Sequence, residues 1–255
     1  MSEKKSKKSS KKTSKKSKTE KTVKDNSLIY VDYVAKTKEE EQIFDLTIED
    51  VAKDEGLYKE DTRYEPVLVA VGQNWLLGAI EEELVGMKVG ENKTVEVPPE
   101  KGAGTRDPQK IKSIPLLKLK KQGVVNPMKG DRVKFGNEEG IVTLVTGRKA
   151  RIDFNSPLAG KTLVFDVTVR DIVTKMKDKI VAVIKRRVPA LPEDKYDVSI
   201  KAGTITIELP KESRYIEGIQ YAEIGIAADA LKVNEKADEV KFIITYERPE
   251  KPKEE

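Results

Sequence analysis

The apolar segments of this chain are short, rich in valine and isoleucine, and repeatedly interrupted by its 12 prolines and 16 glycines. Runs of about four to eight such residues, bounded by turn signals, are typical of strands. Prolines stop strands because they lack a backbone N–H, and glycines supply the turns between them. We therefore expect several small sheets with few helices, which is the α+β class.

The strand patterns fall in three groups along the chain. The sequence predicts strands at 27–34, 66–72 and 93–99, then at 131–135, 140–145, 149–154 and 162–169, and finally at 204–209 and 240–246. A short helix is predicted at 47–53, with Thr47 as its N-cap and acidic residues in its first turn. A second helix is predicted at 77–85, and the segment 216–231 fits either a strand or a helix.

The chain has no cysteine and no histidine. This excludes disulfides, thiolate nucleophiles, Cys/His zinc sites and Ser-His-Asp triads within this sequence. Any chemistry must rest on carboxylates, hydroxyls, lysines or the shape of a site. We expect no cofactor and no bound metal.

Residues 1–26 consist almost entirely of Lys, Ser and Thr, and such a segment cannot bury enough apolar surface to fold. The first 25 residues carry eleven lysines and three acids, a net charge of +8, whereas the other 230 carry 38 basic and 41 acidic residues. The segment is therefore predicted to be a disordered tail, either solubilising or tethering the protein to polyanions such as ribosomal RNA. The nearly neutral remainder argues against a nucleic-acid surface spread over the folded body.

No stretch approaches the roughly 20 apolar residues needed to span a bilayer. The lysine-rich start is not followed by the apolar segment of a secretory signal. We expect a cytoplasmic protein without a membrane partner.

Several motifs follow one another in a recognisable order. They are Tyr33, Phe44-Asp45, VGQNWLLGAIEEELVGMKVGE at 71–91, VEVPPEK at 95–101, Arg106-Asp107-Pro108, NSPLAGK at 155–161 and LVFDV at 163–167. Over residues 27–174 the chain resembles the FKBP family of peptidyl-prolyl cis-trans isomerases, specifically its SlyD-like branch and the long form known from archaea. Residues 175–248 are similar to the C-terminal extension of the long form.

The resemblance implies an organisation into four parts. Residues 1–26 would be the tail, and residues 27–105 together with 155–174 would form the isomerase domain, a curved antiparallel sheet wrapped on a helix. Residues 106–154 would be a β-rich insert-in-flap domain with chaperone function. Residues 175–248 would form a C-terminal α+β domain.

The resemblance also implies an apolar pocket for proline. The matching positions are Tyr33, Phe44 and Asp45 for its wall and acid, Val67, Leu76 and Leu77 for its rim, Ile80 for its floor and Phe165 for its base. Plain core packing is the alternative for Phe44, Val67, Ile80 and Phe165. Asp45 follows a strand-end Phe and needs a partner, for which Tyr33 is the candidate.

The chemistry implied by this pocket requires no general acid or base. The X–Pro bond isomerises over a barrier of about 18–20 kcal/mol because twisting the amide breaks its resonance. The twisted amide is less dipolar than the planar one, so an apolar site that binds the proline ring favours it. A protein without histidine or cysteine can therefore catalyse this reaction.

The chain departs from the family pattern at several positions. Val67 stands where an aromatic residue is common, and Ile80 stands where an aromatic or another aliphatic residue is also seen. Ala103 stands where the family has a tyrosine whose hydroxyl bonds the substrate carbonyl, and Ser156 stands where a histidine is usual. The implied function is therefore an isomerase with chaperone activity, or alternatively a chaperone of the same fold with weak or no isomerase activity. The partners would be unfolded or nascent polypeptides with X–Pro bonds, with a weak ribosome or polyanion contact through the tail.

The insert carries the apolar residues that we expect to bind clients, namely Ile114, Leu116, Leu117, Val124 and Met128. The alternative is that such residues form the insert's own small core. The run 114–119 is predicted to be exposed because apolar residues beside prolines pack poorly. For Trp75, the only tryptophan, partial burial and contact with a client are both open.

Overall fold

The computed structural model describes residues 21–192 and 195–246. Its largest sheet has five strands: β1 (Leu28–Thr37), β2 (Ile43–Leu46), β3 (Val67–Ala70), β4 (Asn92–Val97) and β9 (Leu163–Val173). The two long strands β1 and β9 pair antiparallel along their whole length. β2 and β3 pair with the other edge of β1, and β4 pairs with the other edge of β9.

One face of this sheet packs on helix α2 (Gly78–Leu84), whose Ile80 and Leu84 are fully buried. Strand alternation brings Val31, Tyr33 and Ala35 of β1 to that face, because successive side chains of a strand point to opposite sides. The result is an antiparallel sheet packed on a helix, which confirms the predicted fold class.

Helix α1 (Glu49–Asp54) begins after Ile48, and no side chain caps its first turn. The prediction that Thr47 is the N-cap is therefore wrong. Its hydroxyl donates instead to Asp32 Oδ1 at 2.9 Å and accepts from the backbone N–H of Tyr33 at 2.9 Å. Because Thr47 is buried beside β1, the strand supplies closer partners than the helix terminus does.

Between β4 and β9 the chain forms a separate antiparallel sheet, in the order β5-β8-β7-β6. Its strands are β5 (Ile111–Pro115), β6 (Arg132–Phe135), β7 (Glu138–Thr146) and β8 (Lys149–Asp153), and helix α3 (Leu116–Lys121) follows β5. We call these elements the insert sheet. Its small core contains Leu119, Val142 and Ile152, all fully buried. The predicted strands at 131–135, 140–145 and 149–154 are confirmed.

The two chain segments that lead into and out of the insert sheet are fastened to each other. Asn155 accepts from the backbone N–H of Asp107 and donates to its carbonyl, both at 2.9 Å. Asp153 Oδ1 accepts from the backbone N–H and the side-chain amide of Asn155, at 2.9 and 2.7 Å. The other oxygen of Asp153 pairs with Arg106.

The C-terminal part contains α4 (Met176–Arg187), α5 (Ile219–Val233) and a three-stranded sheet. The strands are β10 (Asp197–Lys201), β11 (Thr204–Glu208) and β12 (Glu239–Ile243), and β11 and β12 are parallel. The segment 216–231, ambiguous in the sequence, is mostly helical. The core of the C-terminal part also includes Leu28, Leu68 and Ala70 of the large sheet. The C-terminal part therefore packs on the face of that sheet opposite α2.

The folded body starts earlier than predicted. Val23 is only 2% exposed, its N–H donates to Met87 at 2.8 Å, and Gly86 donates back to its carbonyl at 2.9 Å. The predicted tail boundary at residue 26 is therefore wrong, because Val23 is part of the buried core. Residues 1–20, the remainder of the predicted tail, lie outside the described residues. In the described part, no helix has the length and apolar character to cross a membrane.

Candidate active site

Three aromatic rings gather at one end of the large sheet. The ring of Phe165 lies 5.9 Å from that of Tyr33 and 6.0 Å from that of Phe44, with the second pair edge to face. Strand register explains the placement, since Phe165 of β9 lies opposite Ala35, two residues after Tyr33 on β1. Tilted and edge-to-face contacts of this kind stabilise aromatic pairs.

The hydroxyl of Tyr33 donates a hydrogen bond to Asp45 Oδ2 at 2.8 Å. Asp45 of β2 lies opposite Ala35 in β1, where a bulge shifts the register. The pairing predicted from the sequence is thereby confirmed. Burial, together with the bond and charge of Asp45, raises the pKa of the Tyr33 phenol above its ordinary value, so the hydroxyl stays protonated at neutral pH.

The remaining predicted pocket residues are apolar and pack on the same cluster. Ile80 of α2 is a fully buried member of it, and Val67, Leu76 and Leu77 lie partly buried against it. The structure thus places six of the eight predicted residues in or against one cluster, and Phe44 and Asp45 contact it through Phe165 and Tyr33.

The exposed fraction differs among the residues predicted to line the pocket. Ile80 and Phe165 are 0% and 6% exposed, so they contribute to core packing whatever else they do. Phe44 is 37% exposed, although it touches the ring of Phe165. Core packing therefore does not account for Phe44, whose ring is open to solvent beside the buried floor.

Two apolar side chains, Ala103 and Leu158, also pack against the cluster. The sequence singled out Ala103 only as a departure from the family pattern, and Leu158 was not predicted at all. Leu158 lies between Pro157 and a glycine turn, so it belongs to no periodic apolar pattern that would predict its burial. The neighbouring Ser156 is exposed, and its hydroxyl accepts from the backbone N–H of Leu158 at a long 3.4 Å.

Glu81 is a buried carboxylate that the sequence analysis missed. One of its oxygens accepts from the backbone N–H groups of Gly72 and Asn74, at 2.7 and 3.1 Å, and the other accepts from Leu76 at 2.8 Å. The bonds fix the turn that carries Leu76 and Leu77 to the pocket rim. An acid in the first turn of a helix, just after a turn rich in Gly and Asn, is the signal that could have revealed it.

Trp75 lies in the same turn and packs against both the pocket cluster and the C-terminal core. The guanidinium of Arg186 lies over its ring, 4.0 Å from the centroid. Of the two roles considered from the sequence, the structure supports partial burial, because the arginine covers the ring face that a client would need.

The predicted client-binding residues separate into two groups. Leu117 and Met128 are 76% and 69% exposed, whereas Leu116 and Val124 lie partly buried against the insert core. Ile114 is only 5% exposed and is a member of that core, so its predicted exposure is wrong. It is the last residue but one of β5, where its side chain packs into the insert core, and the helix that follows leaves Leu117 outside.

Family models match most of the chain. The model described as FKBP-type peptidyl-prolyl cis-trans isomerase matches residues 19–170, and the model described as FKBP26_C-terminal matches residues 176–247. The first match begins before residue 27, in agreement with the buried Val23.

Curated relatives agree with these matches. A short-type peptidyl-prolyl cis-trans isomerase of Methanocaldococcus jannaschii is 36% identical over 150 residues, which are 59% of this chain and 94% of that protein. The FKBP-type 16 kDa peptidyl-prolyl cis-trans isomerase of Escherichia coli K12 is 32% identical over 47% of this chain and 83% of its own. The FKBP-type peptidyl-prolyl cis-trans isomerase SlyD of Aeromonas hydrophila is 30% identical, over 42% and 51%.

The fold agrees with these matches, because an antiparallel sheet packs on a helix and the rings of Tyr33, Phe44 and Phe165 gather at one end of the sheet. This chain belongs to the family of FKBP-type peptidyl-prolyl cis-trans isomerases. The predicted family and isomerase function are confirmed by these matches.

Proposed function

We propose that the pocket around Phe165 isomerises X–Pro bonds in unfolded or partly folded polypeptides. The observation that carries the proposal is the partly exposed ring of Phe44, which lies edge to face with the buried ring of Phe165. A proline ring entering beside Phe44 would meet an apolar floor and a wall formed by Tyr33.

The rate enhancement would come from binding the twisted amide more tightly than the planar one. Removing the X–Pro amide from water costs the planar, more dipolar form more than the twisted form, which lowers the barrier of about 18–20 kcal/mol. The side chains that line the pocket supply burial, and Tyr33 supplies a neutral hydroxyl. None of them has to exchange a proton during the reaction.

One observation favours a weaker catalyst. Ala103, which packs on the pocket cluster, carries only a methyl group at the position where the family pattern has a tyrosine hydroxyl. The hydroxyl of Tyr33 already donates to Asp45. A chaperone that uses the same pocket to bind proline segments, with little catalysis, is therefore the second candidate function.

The insert sheet would hold the client while the pocket acts on its proline bonds. Leu117 and Met128 support this role because large apolar side chains with such exposure mark interaction sites. The contact of the lysine-rich tail with RNA or ribosomes and the cytoplasmic location stay predictions.

The test is proline-limited isomerisation of a short unfolded peptide, followed with wild type, Phe44→Ala and Val89→Ala. Val89 is 43% exposed, close to the 37% of Phe44, and is the matched control. We expect Phe44→Ala to lower kcat/KM about tenfold or more, and Val89→Ala to leave it unchanged. Wild type without acceleration above background would leave the chaperone as the function, and full activity in Phe44→Ala would refute the assigned pocket.

A further inference from the structure

The charge of the folded body is unevenly distributed. Residues 106–154 carry 12 basic and 5 acidic side chains, a net charge of +7, whereas residues 26–105 carry 8 basic and 18 acidic ones, a net charge of −10. The near-neutral total thus hides a basic insert sheet attached to an acidic isomerase domain. A segment that binds to the insert therefore meets a positive potential there.

A groove of about 650 Å³ lies on the insert sheet between α3 and the turn that joins β7 to β8. The hydrogen bond from the Leu116 N–H to the Arg148 carbonyl, at 3.0 Å, connects the two walls. The groove is lined mainly by apolar residues: Pro115, Leu116, Leu117, Val124, Val125 and Pro127. Leu117 and Val125 are 76% and 62% exposed, so this apolar surface is open to solvent.

The charged side chains along the groove are all cations. Lys120, Arg148 and Lys149 line it, and among the described residues no Asp or Glu does. All three are exposed, and within the residues that the structure describes no ion pair engages them. Elsewhere on the insert, by contrast, Lys112 is paired with Glu138 and Arg106 with Asp153.

We propose that this groove selects client segments that combine apolar side chains with Asp or Glu. The apolar floor would bury the client's aliphatic or aromatic residues, while the three cations meet its carboxylates. A lysine-rich segment of equal hydrophobicity would be repelled. This selectivity rests on the proposed holding role of the insert sheet.

The same surface fits a peptide better than a nucleic acid. Single-stranded RNA is typically bound by basic grooves that also present aromatic rings for base stacking. In the part of the chain that the structure describes, no Phe, Tyr or Trp lines this groove. Charge complementarity with aliphatic burial is therefore what the groove offers to a partner.

The experiment measures fluorescence anisotropy of labelled unfolded peptides binding to the full chain. Three peptides share one apolar sequence and differ in having Asp/Glu, Ser/Gln or Lys at the remaining positions. The groove variant is Lys120→Glu/Arg148→Glu. The control is Arg132→Glu/Lys134→Glu, which gives the insert the same net charge but changes exposed positions on β6, outside the groove.

We expect wild type to bind the acidic peptide about tenfold or more tightly than the lysine peptide at low salt, with the preference shrinking as salt rises. The groove variant should lose or reverse this preference, and the control should keep it. Equal affinity for all three peptides, or equal effects of the two double variants, would overturn the selectivity while leaving the holding role intact.

Two further results are decisive. If none of the three peptides binds, the holding role itself falls, and the selectivity with it. An unstructured oligouridine that binds the groove more tightly than the acidic peptide, in a manner abolished by Lys120→Glu/Arg148→Glu, would show that the groove is a nucleic-acid site and would refute the proposal.

Discussion

Arg186 of α4 lies directly over the indole ring of Trp75, with 4.0 Å between the guanidinium carbon and the ring centroid. The same arginine contacts Asp229 of α5 at 3.4 Å. Because Trp75 immediately precedes the pocket residues Leu76 and Leu77, the C-terminal part of the chain is in contact with the turn that shapes the pocket rim.

Replacing Arg186 by Met should change the emission of Trp75, the only tryptophan in the chain. Losing a partly buried cation–π contact should also cost about 0.5–2 kcal/mol of stability. Steady-state fluorescence and urea unfolding measure the two effects. Arg187→Met is the control, because Arg187 contacts the same Asp229 at 2.7 Å but has no contact with the indole among those described. Identical emission spectra for the two variants would contradict the packing.

Replacing Tyr33 by Phe removes the hydroxyl that binds Asp45 while keeping the ring against Phe165. Because the pKa of Tyr33 is raised in the folded state, the protonated phenol stabilises the fold fully below about pH 10, the pKa of Tyr in the unfolded chain. This stabilisation is lost as the pH rises through the higher pKa of the folded state. Wild type should therefore lose stability above about pH 10 more steeply than Tyr33→Phe. Unfolding midpoints between pH 7 and the alkaline limit measure this, and parallel curves would refute it.

Replacing Glu81 by Gln leaves one oxygen to serve three backbone N–H groups. We expect a loss of about 1–3 kcal/mol and weaker binding of proline peptides, because the turn before α2 loosens. The adjacent Glu82→Gln is the control, since Glu82 is exposed and its ion pair with Lys101 is 3.9 Å long. Urea unfolding and the KM for a proline peptide should change for Glu81→Gln alone, and equal stability of both variants would contradict the role of the turn.

Replacing Ala103 by Tyr places a hydroxyl on the wall where the family pattern has one. If it bonds the substrate carbonyl in the transition state, kcat/KM should rise about tenfold or more. Ala103→Phe adds the same ring without the hydroxyl and should give no such gain. The peptide isomerisation assay compares them, and equal activities would show that this wall does not face the substrate carbonyl.

Replacing Asn155 by Ala removes the two side-chain hydrogen bonds to the backbone of Asp107 that help to join the segments leading into and out of the insert sheet. Burial alone would raise the pKa of Asp153, but the hydrogen bonds from Asn155 and Arg106 keep this pKa below its ordinary value. The lowered pKa of Asp153 stabilises the folded state at any pH above about 3.9, the pKa of Asp in the unfolded chain. This stabilisation is lost as the pH falls through the pKa of Asp153 in the folded state. Asn155→Ala should be less stable at pH 7, by about 1–3 kcal/mol, and should lose less on acidification.

The control for that variant is Ser156→Ala, at the adjacent exposed position. Limited proteolysis provides a second measurement, because loosening this junction should speed cleavage near residues 106 and 155. Unchanged cleavage and an unchanged acid limb in Asn155→Ala would show that the junction does not depend on this side chain.

Nine of the twelve described strands could be read from the sequence, because alternation and punctuation by Pro and Gly are local properties. β2, β5 and β10 were not predicted. The eight residues proposed for the pocket could be named because the motifs around them follow the family order. The pairing of Tyr33 with Asp45 could be predicted because both residues match pocket positions of the family and a phenol hydroxyl can donate to a carboxylate.

Other features depend on contacts between residues far apart in the chain. The run 114–119 changes from strand to helix within six residues, so neither period assigns its faces, and only packing shows that Ile114 is buried and Leu117 exposed. Trp75 is covered by an arginine more than a hundred residues later. The groove on the insert sheet exists only because α3 lies beside the β7–β8 turn.

The sequence by itself therefore determined the class, most of the strands and the motifs that match the family, because these follow from local patterns and ordered motifs. Only the tertiary structure decided where the folded body begins, which apolar side chains stay in water and which of the described cations lack a partner. Burial and charge pairing are sums over neighbours in space, and those neighbours are set by the fold.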